Sequence, residues 1–162
     1  EVPADAYYGV QSLRAKHNFP ITSRPLHPEF IKSIVILKKA AALTNENAGE
    51  LSSEVSEAIC TACNEILEGK LFDQFIVDAI QGGAGTSANM NANEVIANRA
   101  DELLGGTKGS YQHVHPNDHV NMLSLQMISF QRRKTNCIKT ASSSFQRTGT
   151  AFECTVREIK TI

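Results

Sequence analysis

The 162-residue chain predicts an all-α domain entered through an irregular N-terminal arm, on three observations. Apolar residues recur at helical spacing in three separate stretches, glycine follows each of them, and residues 1–27 are rich in turn formers without sustained periodicity.

The elements follow in order. Val2-Pro3-Ala4-Asp5, Phe19-Pro20 and Arg24-Pro25 mark an extended arm with short local turns. Pro28 sits where a first-turn proline opens a helix. Phe30, Ile34, Leu37 and Ala41, flanked by Ile31 and Val35, give that helix a wide apolar stripe, and Gly49 stops it. Ser52 or Ser53 caps the next helix, with Glu54 in the first turn, where the helix dipole favours an anion. Its buried face is Val55, Ala58, Ile59, Ala62 and Ile66, and Gly69 ends it. A short apolar piece, Phe72 to Ile80, leads to the turn Gly82-Gly83-Ala84-Gly85. A further helix is predicted from about Ala88 to Leu104, with Ala92, Val95, Ile96, Ala100 and Leu103 on one side and Gly105-Gly106 closing it. Residues 107–117 read as a polar loop, and Asp118 starts another helix.

The chain is 41% hydrophobic and 20% charged, the balance of a soluble globular domain with a real core. A net charge of −1 makes no electrostatic case for nucleic acid or an acidic membrane surface. No apolar run reaches the length that spans a bilayer. Four cysteines, Cys60, Cys63, Cys137 and Cys154, are too few and too irregular for a disulfide framework, which indicates a reducing, cytoplasmic setting. A start at Glu1, without methionine or a signal-like segment, reads as a processed or partial chain. The charge changes sign along the sequence. Residues 1–122 carry 9 Lys and Arg against 15 Asp and Glu, whereas residues 123–162 carry 7 against 2 and include 11 Ser or Thr.

Three segments carry chemistry. In Gly82-Gly83-Ala84-Gly85-Thr86-Ser87, a glycine-rich turn enters a helix and exposes unpaired N–H groups, with two hydroxyls at the mouth. Free donors and the helix dipole together favour an anion there. A capped helix with satisfied polar groups is the competing structural explanation. Neither nucleotide-binding glycine pattern is present. Asn89, Asn91 and Asn93 add hydrogen-bonding groups, but residues two apart on a helix do not share a face. The second segment is His113-Val114-His115-Pro116-Asn117-Asp118-His119. No Cys or Glu lies at a companion spacing for a metal, so polar recognition, or a cap by Asn117 or Asp118, is the better reading. The third, Cys60-Thr61-Ala62-Cys63, lies mid-helix without a second pair or a preceding strand, and reads as core.

These segments resemble the aspartase/fumarase superfamily. The matching runs are Val2 to Ser12, Asp73 to Asp78, Gly82 to Ala100 and His115 to Met122, so the resemblance covers essentially all of residues 1–122. Ala6-Tyr7-Tyr8-Gly9-Val10 and the Gly-Gly-Ala-Gly-Thr-Ser form look like its aspartate ammonia-lyase branch; fumarate hydratases more typically carry Gly-Ser-Gly-Thr. The resemblance implies the superfamily's N-terminal helical domain and the reversible conversion of L-aspartate to fumarate and ammonia. It implies that Thr86 and Ser87 bind the substrate carboxylate, and that His115 and Asn117 belong to a second anion site near the entrance. It further implies a homotetramer with each active site built from three chains, no required cofactor, and Mg²⁺ as an activator. The family's base is a serine on a downstream loop that this chain does not contain. Ser142-Ser143-Ser144 lacks the glycine, methionine and proline partners of that loop.

The resemblance stops abruptly after Met122. The family continues Ser-Gln-Ser-Thr-Asn-Asp, while this chain reads Leu123-Ser124-Leu125-Gln126-Met127-Ile128. Within the degeneracy of the code, codons CTC AGT CTA CAA ATG ATT TCA can be chosen for Leu123 to Ser129, with the ATG of Met127 forced. One T placed before them gives TCT CAG TCT ACA AAT GAT, which restores the family's sequence. Residues 123–162 are therefore read as an out-of-frame tail behind a lyase domain of residues 1–122. A divergent basic interaction segment is the alternative. Without the superfamily's long central helices, the apolar stripes of residues 1–122 would lack partners, giving a poorly stable, association-prone product. Three functional expectations follow: an ammonia-lyase lacking a complete active site, a fumarate hydratase, or a non-catalytic helical fragment that associates with intact subunits.

Overall fold

The structure, a computed structural model, describes residues 1–122. The out-of-frame reading of residues 123–162, and Ser142 to Ser144 within it, lie outside the described residues. Four helices carry the fold: α1 Val10–Asn18, α2 Pro28–Asn47, α3 Ser53–Leu67 and α4 Thr86–Leu103. Single 3-10 turns occupy Phe72–Gln74 and Gly83–Gly85, and a π-helical turn spans Pro116–Val120. Among the described residues there is no strand, as an all-α reading expects.

Local chemistry accounts for the ends of α2 and α3. Pro28 opens α2 behind His27, whose Nδ1 accepts from Glu29 N–H at 3.2 Å. Ser52 caps α3 by accepting from Val55 N–H, and Glu54 sits in its first turn. These helices pack together through Ile31, Ile34, Val35 and Ala42 of α2 and Ala58, Ile59, Ala62, Cys63 and Ile66 of α3. Cys63 is wholly buried and Cys60 half-buried, both as free thiols in this core; burial pushes both thiols above their ordinary range.

Helix α4 lies at the centre and touches α1, α2, α3 and the π-helical turn. The sequence shows one apolar stripe on it, but the helix is buried almost all round, including Asn91, Asn93, Glu94, Asn98 and Asp101. Asn98 donates to Tyr7 O at 2.8 Å and accepts from Gly109 N–H at 2.8 Å, joining the arm to the loop after α4. Leu103, expected on the inner side, is instead 39% exposed at the helix end.

The irregular arm needs correction, because residues 10–18 form helix α1. Its own N-cap residue, Gly9, has no side chain to cap with. Glu94 of α4 does that work: it accepts from Gly9, Gln11 and Ser12 N–H at 3.0 Å each, and from the Ser12 hydroxyl. A carboxylate at a helix N-terminus satisfies orphan donors and complements the dipole. A Cβ at Gly9 would sit 2.5 Å from Glu94 Oε1, so this approach requires glycine.

Candidate anion-binding site

The mouth of α4 is built by the segment that leads into it. Asp78 accepts from Thr22 N–H and hydroxyl and from Ser23 N–H, each at 2.7 Å, and from Ile80 N–H at 2.8 Å. The Thr22 hydroxyl, followed by the surrounding N–H groups, holds the Asp78 carboxyl down at about 2. Ala79 N–H donates to Arg24 O at 2.9 Å, so residues 22–24 and 78–80 are tied side by side. Gly82 follows directly beneath the Phe19 ring; a Cβ there would lie 2.9 Å from Phe19 Cζ.

The chain then turns through Gly83 and Gly85, both in the left-handed region, at φ 69° and 91°. Thr86 starts α4, two residues earlier than the apolar pattern indicates. Its hydroxyl and its N–H both donate to Gly83 O, the hydroxyl at 2.6 Å. Gln81 folds over the same turn: its Oε1 accepts from Ala88 N–H at 2.6 Å, and its Nε2 donates to Asp78 O at 3.0 Å. Part of the mouth is thus satisfied from within. The half-buried Ser87 hydroxyl takes no partner among the described residues and is the mouth's open donor.

The three asparagines serve three destinations. Asn89 Nδ2 donates to Asn121 Oδ1 at 3.1 Å, Asn91 Nδ2 to Gln74 O at 3.0 Å, and Asn93 Nδ2 to Met90 Sδ at 3.6 Å.

The histidine segment forms the π-helical turn. Its cap is His115, not Asn117 or Asp118: His115 Nδ1 accepts from Asp118 N–H at 3.3 Å, and His115 N–H donates to His119 Nδ1 at 2.9 Å. Asp118 lies within the turn rather than before it. Pro116 follows at the first helical position, where its missing N–H leaves no helical bond unmade. Asn117 is exposed. No hydrogen bond among the described residues joins His115 or Asn117 to Thr86 or Ser87; the two groups are linked through Asn121 and Asn89. Among the described residues, no three His, Cys, Asp or Glu side chains converge as a metal ion requires. Sequence reasoning missed Asp78 and Gln81, which hold the mouth; the Asp-x-x-Gln spacing before a glycine turn was the available signal.

Three comparisons bear on this geometry. Residues 1–124 match the protein family described as Lyase. Over 122 residues the chain is 63% identical to the aspartate ammonia-lyase of a Bacillus species, covering 75% of this chain and 26% of that protein. It is 55% identical over 124 residues to the aspartate ammonia-lyase of Escherichia coli strain K12, with the same shares covered. The chain thus spans about a quarter of the length of the curated relatives it matches. Among solved structures it is similar to the fumarate lyase:delta crystallin of Brucella melitensis, with a TM-score of 0.73 and 51% identity over 75% of this chain and 29% of that one. It is also similar to a class II fumarase of Schistosoma mansoni, with a TM-score of 0.71 and 42% identity over 74% and 26%.

Proposed function

Because this chain belongs to the lyase family, we propose that residues 1–122 are the N-terminal helical domain of an aspartate ammonia-lyase, supplying one wall of its active site. The observation that carries this is the mouth of α4: a glycine turn with the open Ser87 hydroxyl beside Thr86 at the start of an 18-residue helix. The aspartate ammonia-lyases at 63% and 55% identity support the choice of branch.

In the proposed reaction a base removes a Cβ proton of L-aspartate. The electron pair passes through the neighbouring carboxylate and returns to form the C=C bond as the C–N bond breaks. Fumarate and ammonia leave. Ser87, together with Thr86 once its hydroxyl turns from Gly83 O, holds the carboxylate on which charge accumulates, where positioned donors contribute most to rate. His115 and Asn117 form a second anion site at the entrance. No residue of this chain matches the family's catalytic serine loop, so the base and the remaining donors come from other segments and, in a homotetramer, from other subunits. The reaction needs no cofactor. Mg²⁺ acts as an activator.

Residues 123–162 are proposed to be out of frame. The family match ends at residue 124, within two residues of the point after Met122 where the charge balance reverses, and this supports the reading. The proposed setting is the cytoplasm; no helix among the described residues is long and apolar enough to cross a membrane.

The test compares this chain with a gene carrying one restored T after the Met122 codon and the coding sequence that follows. Fumarate formation from L-aspartate is followed at its ultraviolet absorbance. Activity in the restored protein alone supports the proposal, while activity in the 162-residue chain sinks the claim of an incomplete site. Addition of water rather than ammonia to fumarate by the restored protein assigns it to the hydratases. Co-elution of the inactive chain with a full-length relative supports the associating-fragment reading.

A further inference from the structure

Helix α2 buries an amine that the proposed reaction does not use. Lys38 is 3% exposed, and no salt bridge engages it among the described residues. Its Nζ donates to Asn121 Oδ1 at 2.9 Å. Asn89 Nδ2, in the first turns of α4, donates to the same oxygen at 3.1 Å. Two helical turns along α2, the fully buried Asn45 donates from Nδ2 to Met122 O at 3.3 Å. Three buried donors from two helices therefore converge on two consecutive residues at the end of the π-helical turn.

A lysine is a costly way to satisfy one amide oxygen. Its burial disfavours the charged form: desolvation lowers the amine to about 7 against an opposing influence from Cys63. A methionine at this position would fill similar volume without that cost. What only a long donor supplies here is a hold on Asn121.

We propose that Lys38 is a positioning residue that, together with Asn45 and Asn89, pins Asn121 and Met122 between α2 and α4 and thereby sets the His115–Asn117 turn relative to Thr86 and Ser87. The clamp rests on observed contacts. Its value to catalysis rests on the proposed anion site.

The experiment uses the whole 162-residue chain and its Lys38→Met variant. Amide hydrogen exchange is measured at His119, Val120, Asn121 and Met122, whose N–H groups donate within the turn, and in α3 as a reference. The midpoint of denaturant unfolding is measured in parallel. The expected result is exchange at least tenfold faster in the turn, with α3 unchanged and the midpoint equal or higher. A residue that merely supported the fold would lower the midpoint and speed exchange everywhere. Unchanged exchange in the turn overturns the proposal, as does loss of folding in Lys38→Met. Asn121→Ala tests the same hold from the other side. In the double variant the two effects should not add, and full additivity also overturns the clamp. Titration of the frame-restored protein with fumarate, read at the Thr86 and Ser87 amides, separates the two claims. No response there sinks the anion site, while the exchange result still decides the clamp.

Discussion

Glu94 shows how much one buried side chain can organise. Its carboxylate receives three N–H groups and a hydroxyl from the start of α1, a helix with little apolar face of its own. Glu94→Gln replaces one acceptor with a donor facing those N–H groups. A loss of about 1–3 kcal/mol is expected, seen in denaturant unfolding and as faster amide exchange confined to α1. Asp78 and Lys38 give opposite pH signatures. The Asp78 carboxyl ordinarily titrates at 3.8 and is held at about 2 in the fold, so its stabilising effect is complete above about pH 4 and is lost as pH falls through 2. Unfolding midpoints measured from pH 5 to 2 should fall, and Asp78→Ala should flatten that decline. Lys38 is lowered from 10.5 to about 7. The unfolded chain therefore binds more protons than the folded one between those values, and stability should rise with pH across that window. Lys38→Met should remove the rise.

Helices α2 and α3 depend on tertiary packing more than on their caps. Ile59 and Ile66 of α3 have no exposed surface and meet the apolar side of α2. Ile59→Ala should destabilise by roughly 2–5 kcal/mol, because the removed carbons leave a cavity that the neighbouring helices only partly close. Ser52→Ala should cost about 0.5 kcal/mol, the low end for such caps, since the bond to Val55 N–H is long at 3.4 Å. Both values come from denaturant titration. In the entry to α4, the Phe19 ring stands where a Gly82 side chain would go. Gly82→Ala should displace that ring and loosen residues 19–24, read as faster proteolytic cleavage there, while α3 stays protected.

The described residues combine a packed centre with apolar surface left open. Val10, Ile21, Ile36 and Ile80 are exposed by a third to more than a half of their surface, on or beside α1, α2 and the approach to α4. Large apolar groups left in water favour association. Circular dichroism melting of the 162-residue chain should therefore be broad and concentration-dependent, and the frame-restored protein should melt sharply. A sharp, concentration-independent transition in the shorter chain would show that its helices need no further partners.

Local signals in the sequence identified most of the elements. Pro28, Gly49, Ser52, Gly69 and the turn before Thr86 act on the backbone within a few residues, so their effects are readable without knowing what lies nearby. The helical spacing of Ile34, Ile59, Ile66, Val95 and Ile96 likewise located the core. Only the tertiary structure decided where the polar groups of α4 and α2 would go. The apolar stripe of α4 says nothing of Glu94, Asn98 and Asp101, whose partners are distant backbone groups of the arm and the following loop. Helix α1 went unseen because its cap lies more than eighty residues away, and the capping roles of Gln81 and His115 because their donors appear only once the chain has turned. Apolar burial leaves a periodic trace along the chain, whereas the satisfaction of a buried polar group depends on which remote segment comes within hydrogen-bonding reach.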